Sequence, residues 1–222
     1  MKKVIVFILV NVLIVSSFGQ KVKSLKTAED SLAYAIGVSM YKGVASLDVD
    51  LNLDLVSGAM KAAKKENAMF TPEEANAFIQ EYMMGIESKL IEGNKESGKK
   101  FLEENKKVKG VVVTESGLQY LILEAGDGPV PLAEDKVKVH YIGTLLDGTV
   151  FDSSVERGEP VMFGVTQVIK GWGEVLQLMP VGSKYKVFIP ADLAYGDRGV
   201  GEDIKPGSTL IFEIELVEII GK

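Results

Sequence analysis

The chain has 222 residues, of which 46% are apolar and none is cysteine. Its formal net charge of −6 argues against a general affinity for nucleic-acid backbones. The missing cysteines exclude disulfides, thiolate nucleophiles and cysteine-based zinc sites, so the fold depends on its apolar core. The length suits one large domain or two small ones.

The first nineteen residues have the pattern of a secretory signal peptide. Lys2 and Lys3 precede an apolar run from Val4 to Val15, and a small-x-small site ends at Gly19. The run is short for a membrane span, so an uncleaved anchor is the weaker alternative. We expect cleavage after Gly19, which takes the net charge from −6 to about −8 by removing two lysines. The mature protein is then exported, to the periplasm or the medium, with no stable membrane span.

Two short helices are predicted in the region that follows. Thr27 and Asp30 form a capping box for a helix that runs to about Ser46. Asp54 is the expected cap of a second helix, which ends near Glu66. Small residues on the first helix would let another helix approach closely. In the alternative, that helix is weakly amphipathic and its glycines only reduce its stability.

A third, long helix is predicted to begin at Pro72, after a cap at Thr71. Its first half keeps an apolar stripe, but lysine and glutamate dominate from Gly93 to Lys107, where Phe101 and Leu102 are the large apolar residues. A continuous helix to Lys107 would extend about 54 Å at 1.5 Å per residue. We interpret it as an apolar anchor followed by a solvated strut.

The amino-terminal helices are too few, and too rich in small residues, to hide their own apolar residues within one chain. Small helical units often need a partner to complete a core, so we expect a homodimer through these helices. A self-sufficient three-helix domain with methionine gap-fillers is the alternative. The residues that the dimer would bury are Leu32, Ile36, Met60, Ile79, Met83 and Ile86.

From Val111 the pattern becomes extended, with alternating segments separated by glycine-containing turns. It predicts four to six antiparallel strands and one short helix that opens near Gly171. The predicted fold class is α+β: a helical dimerisation region with a long connecting helix over residues 20–108, then an antiparallel β half-barrel over residues 109–222. We expect the piece that begins at Lys109 to fold alone.

One predicted hairpin in this half brings aromatic rings next to a carboxylate. Tyr141 alternates with His140 along the first strand, and Asp147-Gly148 supplies the turn. Phe151 and Asp152 follow on the second strand, near Tyr141. This arrangement indicates a pocket, with His140 on the opposite face. In the alternative, the rings are ordinary core and Asp152 caps a turn.

Four motifs of this half carry a family resemblance. HYIGTLLDGTVFDSS, VIKGW, AYG and STLIFEIEL, in that order, resemble FKBP-type peptidyl-prolyl cis-trans isomerases. The match covers about half of the chain, from Val111 to the end. The helical half resembles, by arrangement more than by motif, the dimerisation region of exported Mip-like and FkpA-like members.

The resemblance implies a role for each matching residue and implies no cofactor or metal. Trp172 would be the floor of an apolar prolyl pocket. The backbone N–H of Ile169 and the hydroxyl of Tyr195 would donate hydrogen bonds to substrate carbonyls. The implied catalytic residues are Tyr141, Phe151, Asp152, Ile169, Trp172, Tyr195 and Phe212; the implied substrate-binding residues are Arg157, Phe163, Val168 and Ile204.

The implied reaction needs no base and no nucleophile. An X-Pro bond isomerises by rotation over a barrier of about 18 to 20 kcal/mol, and an apolar site disfavours the planar, charge-separated amide. We hypothesise an exported, dimeric prolyl isomerase whose partners are unfolded, proline-containing polypeptides. The alternative is a non-catalytic holdase chaperone that uses the same cleft. A purely structural dimer scaffold leaves the pocket residues unexplained.

Overall fold

The computed structural model describes residues 24–45 and 49–221, so the predicted signal peptide lies outside the described residues. The chain divides into two compact units, one that ends at Thr71 and one that begins at Pro72. In the described ranges, no helix combines the length and the apolar character needed to cross a bilayer.

The first helix of the amino-terminal unit, α1, spans Ala28–Ala45. Its predicted capping box is confirmed. Asp30 N–H donates to the Thr27 hydroxyl oxygen at 3.1 Å, and Thr27 N–H donates to the Asp30 carboxylate at 3.2 Å. These bonds satisfy backbone donors that the first turn leaves unpaired. None of the residues of α1 is buried within the chain.

The second helix, α2, spans Leu53–Lys64, and its predicted cap was wrong. Asn52, not Asp54, accepts the capping hydrogen bond, from the N–H of Leu55 at 3.1 Å. Asp54 lies in the first helical turn, where its charge complements the helix dipole. Both side chains are suitable caps, so the sequence alone left a choice of two positions. α2 also has no buried residue.

The carboxy-terminal unit opens with the long helix α3, Pro72–Asn105, and continues into a seven-stranded, fully antiparallel, open sheet. The order is β1-β2-β6-β7-β3-β4, and β5 also pairs with β3. The strands are β1 Val112–Val113, β2 Gln119–Glu124, β3 Lys136–Thr144, β4 Val150–Ser153, β5 Val161–Gly164, β6 Lys184–Ile189 and β7 Leu210–Ile219.

The α+β class and the open antiparallel sheet are confirmed, but the predicted counts were wrong. The sheet has seven strands because β1 is a two-residue segment and β4 and β5 pair with different parts of β3. Two short helices are present, α4 Ser154–Arg157 and α5 Lys170–Leu176, together with a 3-10 helix at Ala191–Leu193. The core lies between the sheet and α5, whose Trp172, Val175 and Leu176 are buried.

The predicted solvated strut is instead packed on the sheet. Residues of the carboxyl half of α3 that are buried or half-buried recur at helical spacing: Ile91, Asn94, Lys95, Gly98, Phe101, Leu102 and Asn105. A Cβ atom at Gly98 would lie 2.1 Å from the hydroxyl of Thr209, so the helix closely approaches the residue that precedes β7. The Phe101 ring lies 5.8 Å from that of Phe188 on β6. The predicted strut is therefore part of the same compact unit as the sheet.

Candidate active site

A cavity of about 440 Å³ opens between the sheet and α5. Nine of the eleven residues that the resemblance singled out line it, and Gln167 is an additional wall residue. Six aromatic rings and two aliphatic side chains make this wall mostly apolar. The nine are Tyr141, Phe151, Asp152, Phe163, Val168, Ile169, Trp172, Tyr195 and Phe212.

Trp172 is the floor of the cavity. Its side chain is only 4% exposed, and three rings stand nearly perpendicular to it. The centroids of Tyr141, Phe163 and Phe212 lie 5.1, 5.4 and 5.2 Å from that of Trp172. Edge-to-face packing of this kind is favourable and fixes the orientation of each ring. The floor is thus a rigid aromatic surface.

The hairpin of β3 and β4 positions the side wall. Tyr141 points inward from β3, and Phe151 packs edge-on against Phe212 at 5.5 Å. Gly143 makes this possible, because a Cβ atom there would lie 2.6 Å from the Phe151 ring and 2.8 Å from the Phe212 ring. The turn at Gly148 has φ +89°, which glycine adopts without strain. The predicted hairpin is therefore present and faces the cavity.

A polar network closes one side of the apolar wall. The Tyr141 hydroxyl donates to Asp152 Oδ2 at 2.6 Å and accepts from Arg157 Nη2 at 2.8 Å. Arg157 Nη1 also donates to Asp152 Oδ1. Arg157 comes from α4, which Ser153 caps by accepting from the N–H of Glu156. The cap is therefore Ser153, and Asp152 holds Tyr141 and Arg157 instead.

The protonation states follow from this network. Burial raises the pKa of Tyr141 and of Tyr195, so both phenols keep their protons at neutral pH and act as donors. Partial burial alone would raise the pKa of Asp152, but hydrogen bonds from Tyr141 and Arg157 outweigh it and lower that pKa. The cavity therefore presents neutral hydroxyl groups beside one ionised carboxylate.

Two of the predicted site residues do not line the cavity. Ile204 is 6% exposed, and its side chain packs into the core from the loop that follows Tyr195. Arg157 lies outside the wall and contacts the site through Tyr141 and Asp152. Gln167 was missed, because nothing in its spacing distinguishes it from an ordinary loop residue. His140 lies on the opposite face from Tyr141, as predicted, with its Nδ1 atom 3.2 Å from the Ser154 hydroxyl.

Comparison with known proteins gives the family. A family model described as FKBP-type peptidyl-prolyl cis-trans isomerase matches residues 128–217, and one described as the domain amino terminal to that isomerase matches residues 29–122. The outer membrane protein MIP of Legionella longbeachae is 44% identical over 204 residues, which is 88% of each chain. The chain belongs to the FKBP-type peptidyl-prolyl cis-trans isomerases. It is therefore an enzyme of X-Pro isomerisation, as the motifs implied.

Other FKBP-type isomerases match both halves of the chain. The FKBP-type 22 kDa peptidyl-prolyl cis-trans isomerase of Escherichia coli is 43% identical over 87% of this chain and 97% of its own length. The crystal structure of FkpA from Escherichia coli superposes with a TM-score of 0.70 at 34% identity, over 88% of this chain and 98% of that one. The likeness of the helical half to such members is thus confirmed.

Proposed function

We propose that the chain speeds X-Pro rotation in unfolded, exported polypeptides by holding the proline ring on Trp172 inside the aromatic walls. The observation that carries this proposal is the apolar cavity with its floor of perpendicular rings. Such a wall solvates the charge-separated planar amide poorly and disfavours the twisted amide less. The preference between the two states lowers the barrier without a covalent step.

Polar groups at the rim would hold the peptide on both sides of the proline. The hydroxyl of Tyr195 and the backbone N–H of Ile169, both at the cavity, are the proposed donors to substrate carbonyls. The Tyr141, Asp152 and Arg157 network would keep the wall in place and offer a dipole to the rotating carbonyl. Two further wall residues, Phe163 and Val168, would contact the proline and its neighbours.

Refolding of a proline-limited protein tests the proposed cellular role. We expect the full chain to accelerate the slow refolding phase, and Phe151→Ala to reduce that acceleration about tenfold, because it removes apolar contact with the proline. Met162→Ala is the matched control, since Met162 is exposed on β5, next to Phe163.

A holdase would behave differently in the same assay. It would suppress aggregation without changing the slow phase, and Phe151→Ala would matter no more than Met162→Ala. That result would contradict the proposal. The family models and the relatives named as isomerases favour catalysis.

We also propose export and assembly into a homodimer. The Legionella relative is named an outer membrane protein, and this chain opens with the signal-like pattern described above. For assembly, the support is unburied apolar surface: Leu32 in α1 is 62% exposed and Met60 in α2 is 54% exposed. A second copy would remove such area from water at about 25 cal/mol per Å².

Sedimentation of the chain without residues 1–19 tests the dimer. We expect a dimer at micromolar concentration, and a monomer for Leu32→Asp, because a buried unpaired carboxylate is costly. Val155→Asp, at an exposed position of α4, should remain dimeric. A monomeric parent chain, or an unchanged mass for Leu32→Asp, would overturn this assignment.

A further inference from the structure

The two ends of the loop that carries Tyr195 lie close together. We define the Tyr195 loop as residues 194–208. Gly207 N–H donates to the Gly196 carbonyl at 2.9 Å, and this hydrogen bond joins the two ends of the loop. Val200 and Ile204 exchange backbone hydrogen bonds at 2.8 and 3.2 Å near the tip. The loop is thus a closed hairpin, and Tyr195 lies just before Gly196 at its first end.

Helix α3 contacts both ends of this hairpin. Lys95 Nζ lies 2.6 Å from an Asp197 carboxylate oxygen and 3.6 Å from one of Asp192. Asn94 Nδ2 donates to the Pro206 carbonyl at 2.8 Å. Gly207 lies so close to α3 that a Cβ atom there would be 2.7 Å from the Ile91 carbonyl oxygen. One helical turn therefore touches the chain before and after the loop tip.

The contacts of Lys95 fall on either side of Tyr195. Asp192 is three residues before it and Asp197 is two residues after it, so one ammonium group restrains the backbone on both sides. The hydrogen bond to Asp197 raises the pKa of Lys95, which keeps the ammonium charged. Tyr195 itself is 37% exposed.

We propose that Lys95 and Asn94 are positioning residues of the isomerase: they hold the Tyr195 loop so that the Tyr195 hydroxyl stays at the rim of the cavity. This inference rests on the donor role proposed above for Tyr195. It gives the carboxyl half of α3 a part in catalysis, through the loop and not through contact with the substrate.

The expected effect is moderate, because the ion pairs are exposed to solvent. Exposed ion pairs contribute little to global stability. A free-energy contribution in the range of exposed ion pairs, acting on the loop alone, corresponds to about a 2- to 5-fold change in rate. In the full chain, we expect Lys95→Met to lower kcat/KM for an X-Pro peptide by about 2- to 5-fold. Lys95→Arg, which keeps the charge, should retain most of the activity.

Two matched measurements separate positioning from a general structural effect. Lys106→Met is the control, because Lys106 also lies in the carboxyl half of α3 but pairs with Glu103 of the same helix. We expect it to leave kcat/KM unchanged. In 1 M NaCl, where the screening length falls to about 3 Å, the kcat/KM of the wild type should fall toward that of Lys95→Met.

A double-mutant cycle with Tyr195→Phe is the decisive test. If Lys95 acts through the Tyr195 hydroxyl, Lys95→Met should have no further effect once that hydroxyl is removed. Additive losses, wild-type kcat/KM in Lys95→Met, or equal losses in Lys95→Arg and Lys95→Met would overturn the positioning role. A wild-type rate in Tyr195→Phe alone would instead refute the donor role on which the inference rests.

Discussion

Replacing Asp152 by alanine should lower kcat/KM for an X-Pro peptide by about 10- to 100-fold. The carboxylate accepts from the Tyr141 hydroxyl and from Arg157, and the part-buried bond from Tyr141 to this charged group contributes about 1.5 to 3 kcal/mol. Without it, Tyr141 and Arg157 lose their common partner and the wall loses its fixed dipole. A protease-coupled isomerisation assay on a short X-Pro peptide measures the change.

Asp147→Ala is the matched control for this experiment. Asp147 lies on the same hairpin, but its carboxylate accepts from the N–H of Thr149 in the turn and does not line the cavity. Circular dichroism should show the same fold in both variants. Equal activity of Asp152→Ala and wild type would refute the catalytic assignment and favour the alternative in which the hairpin is ordinary core.

The lowered pKa of Asp152 also sets a pH dependence. A carboxyl group whose folded pKa is depressed stays ionised above its ordinary value, and its contacts are lost as the pH falls through the folded pKa. From about pH 5 to pH 8, wild-type kcat/KM should therefore show no step from this group. The decline should appear only at pH values below the ordinary range of aspartate.

A chain that begins at Lys109 should be less stable than one that begins at Pro72, by about 3 kcal/mol or more. It lacks the apolar contacts of Phe101 and Leu102, which are half-buried and contribute about 1 kcal/mol each. It also lacks the hydrogen bond from Asn105 to the buried Gln119, at 2.8 Å. In a domain of this size, the loss corresponds to a fall in Tm of more than about 10 °C.

Urea and thermal unfolding of the two fragments test this expectation. The full chain is the reference, and the fragment from Pro72 should unfold near it. The motifs of the pocket all lie after Lys109, so the sequence favoured a boundary there. The domain division remains a prediction, and equal midpoints of the two fragments would support the Lys109 boundary and contradict the stabilising role of α3.

The hairpin part of the pocket wall could be predicted from the sequence because that part is local. Tyr141, Phe151 and Asp152 lie on two strands joined by a short turn, so alternation and turn chemistry suffice to bring them together. Trp172 and Tyr195 come from separate elements. Their convergence was given by the family resemblance and not by spacing.

The packing of α3 was missed because its interface is only partly apolar. The positions that face the sheet include Asn94, Lys95 and Gly98, which a search for hydrophobic periodicity treats as solvated. Their partners are a backbone carbonyl, carboxylates and a threonine hydroxyl, none of which has a signal in the sequence. A side chain that binds distant backbone is visible only in three dimensions.

We propose that this chain catalyses X-Pro rotation in the cavity floored by Trp172. The most direct measurement is the protease-coupled assay on an X-Pro peptide with the full chain and Phe151→Ala side by side. The uncatalysed reaction takes tens to hundreds of seconds. We predict that the relaxation rate rises linearly with the concentration of the full chain. The slope of this rise should be about tenfold smaller for Phe151→Ala. A rate that stays at the uncatalysed value with micromolar chain, or an equal increase with Phe151→Ala, would contradict the account.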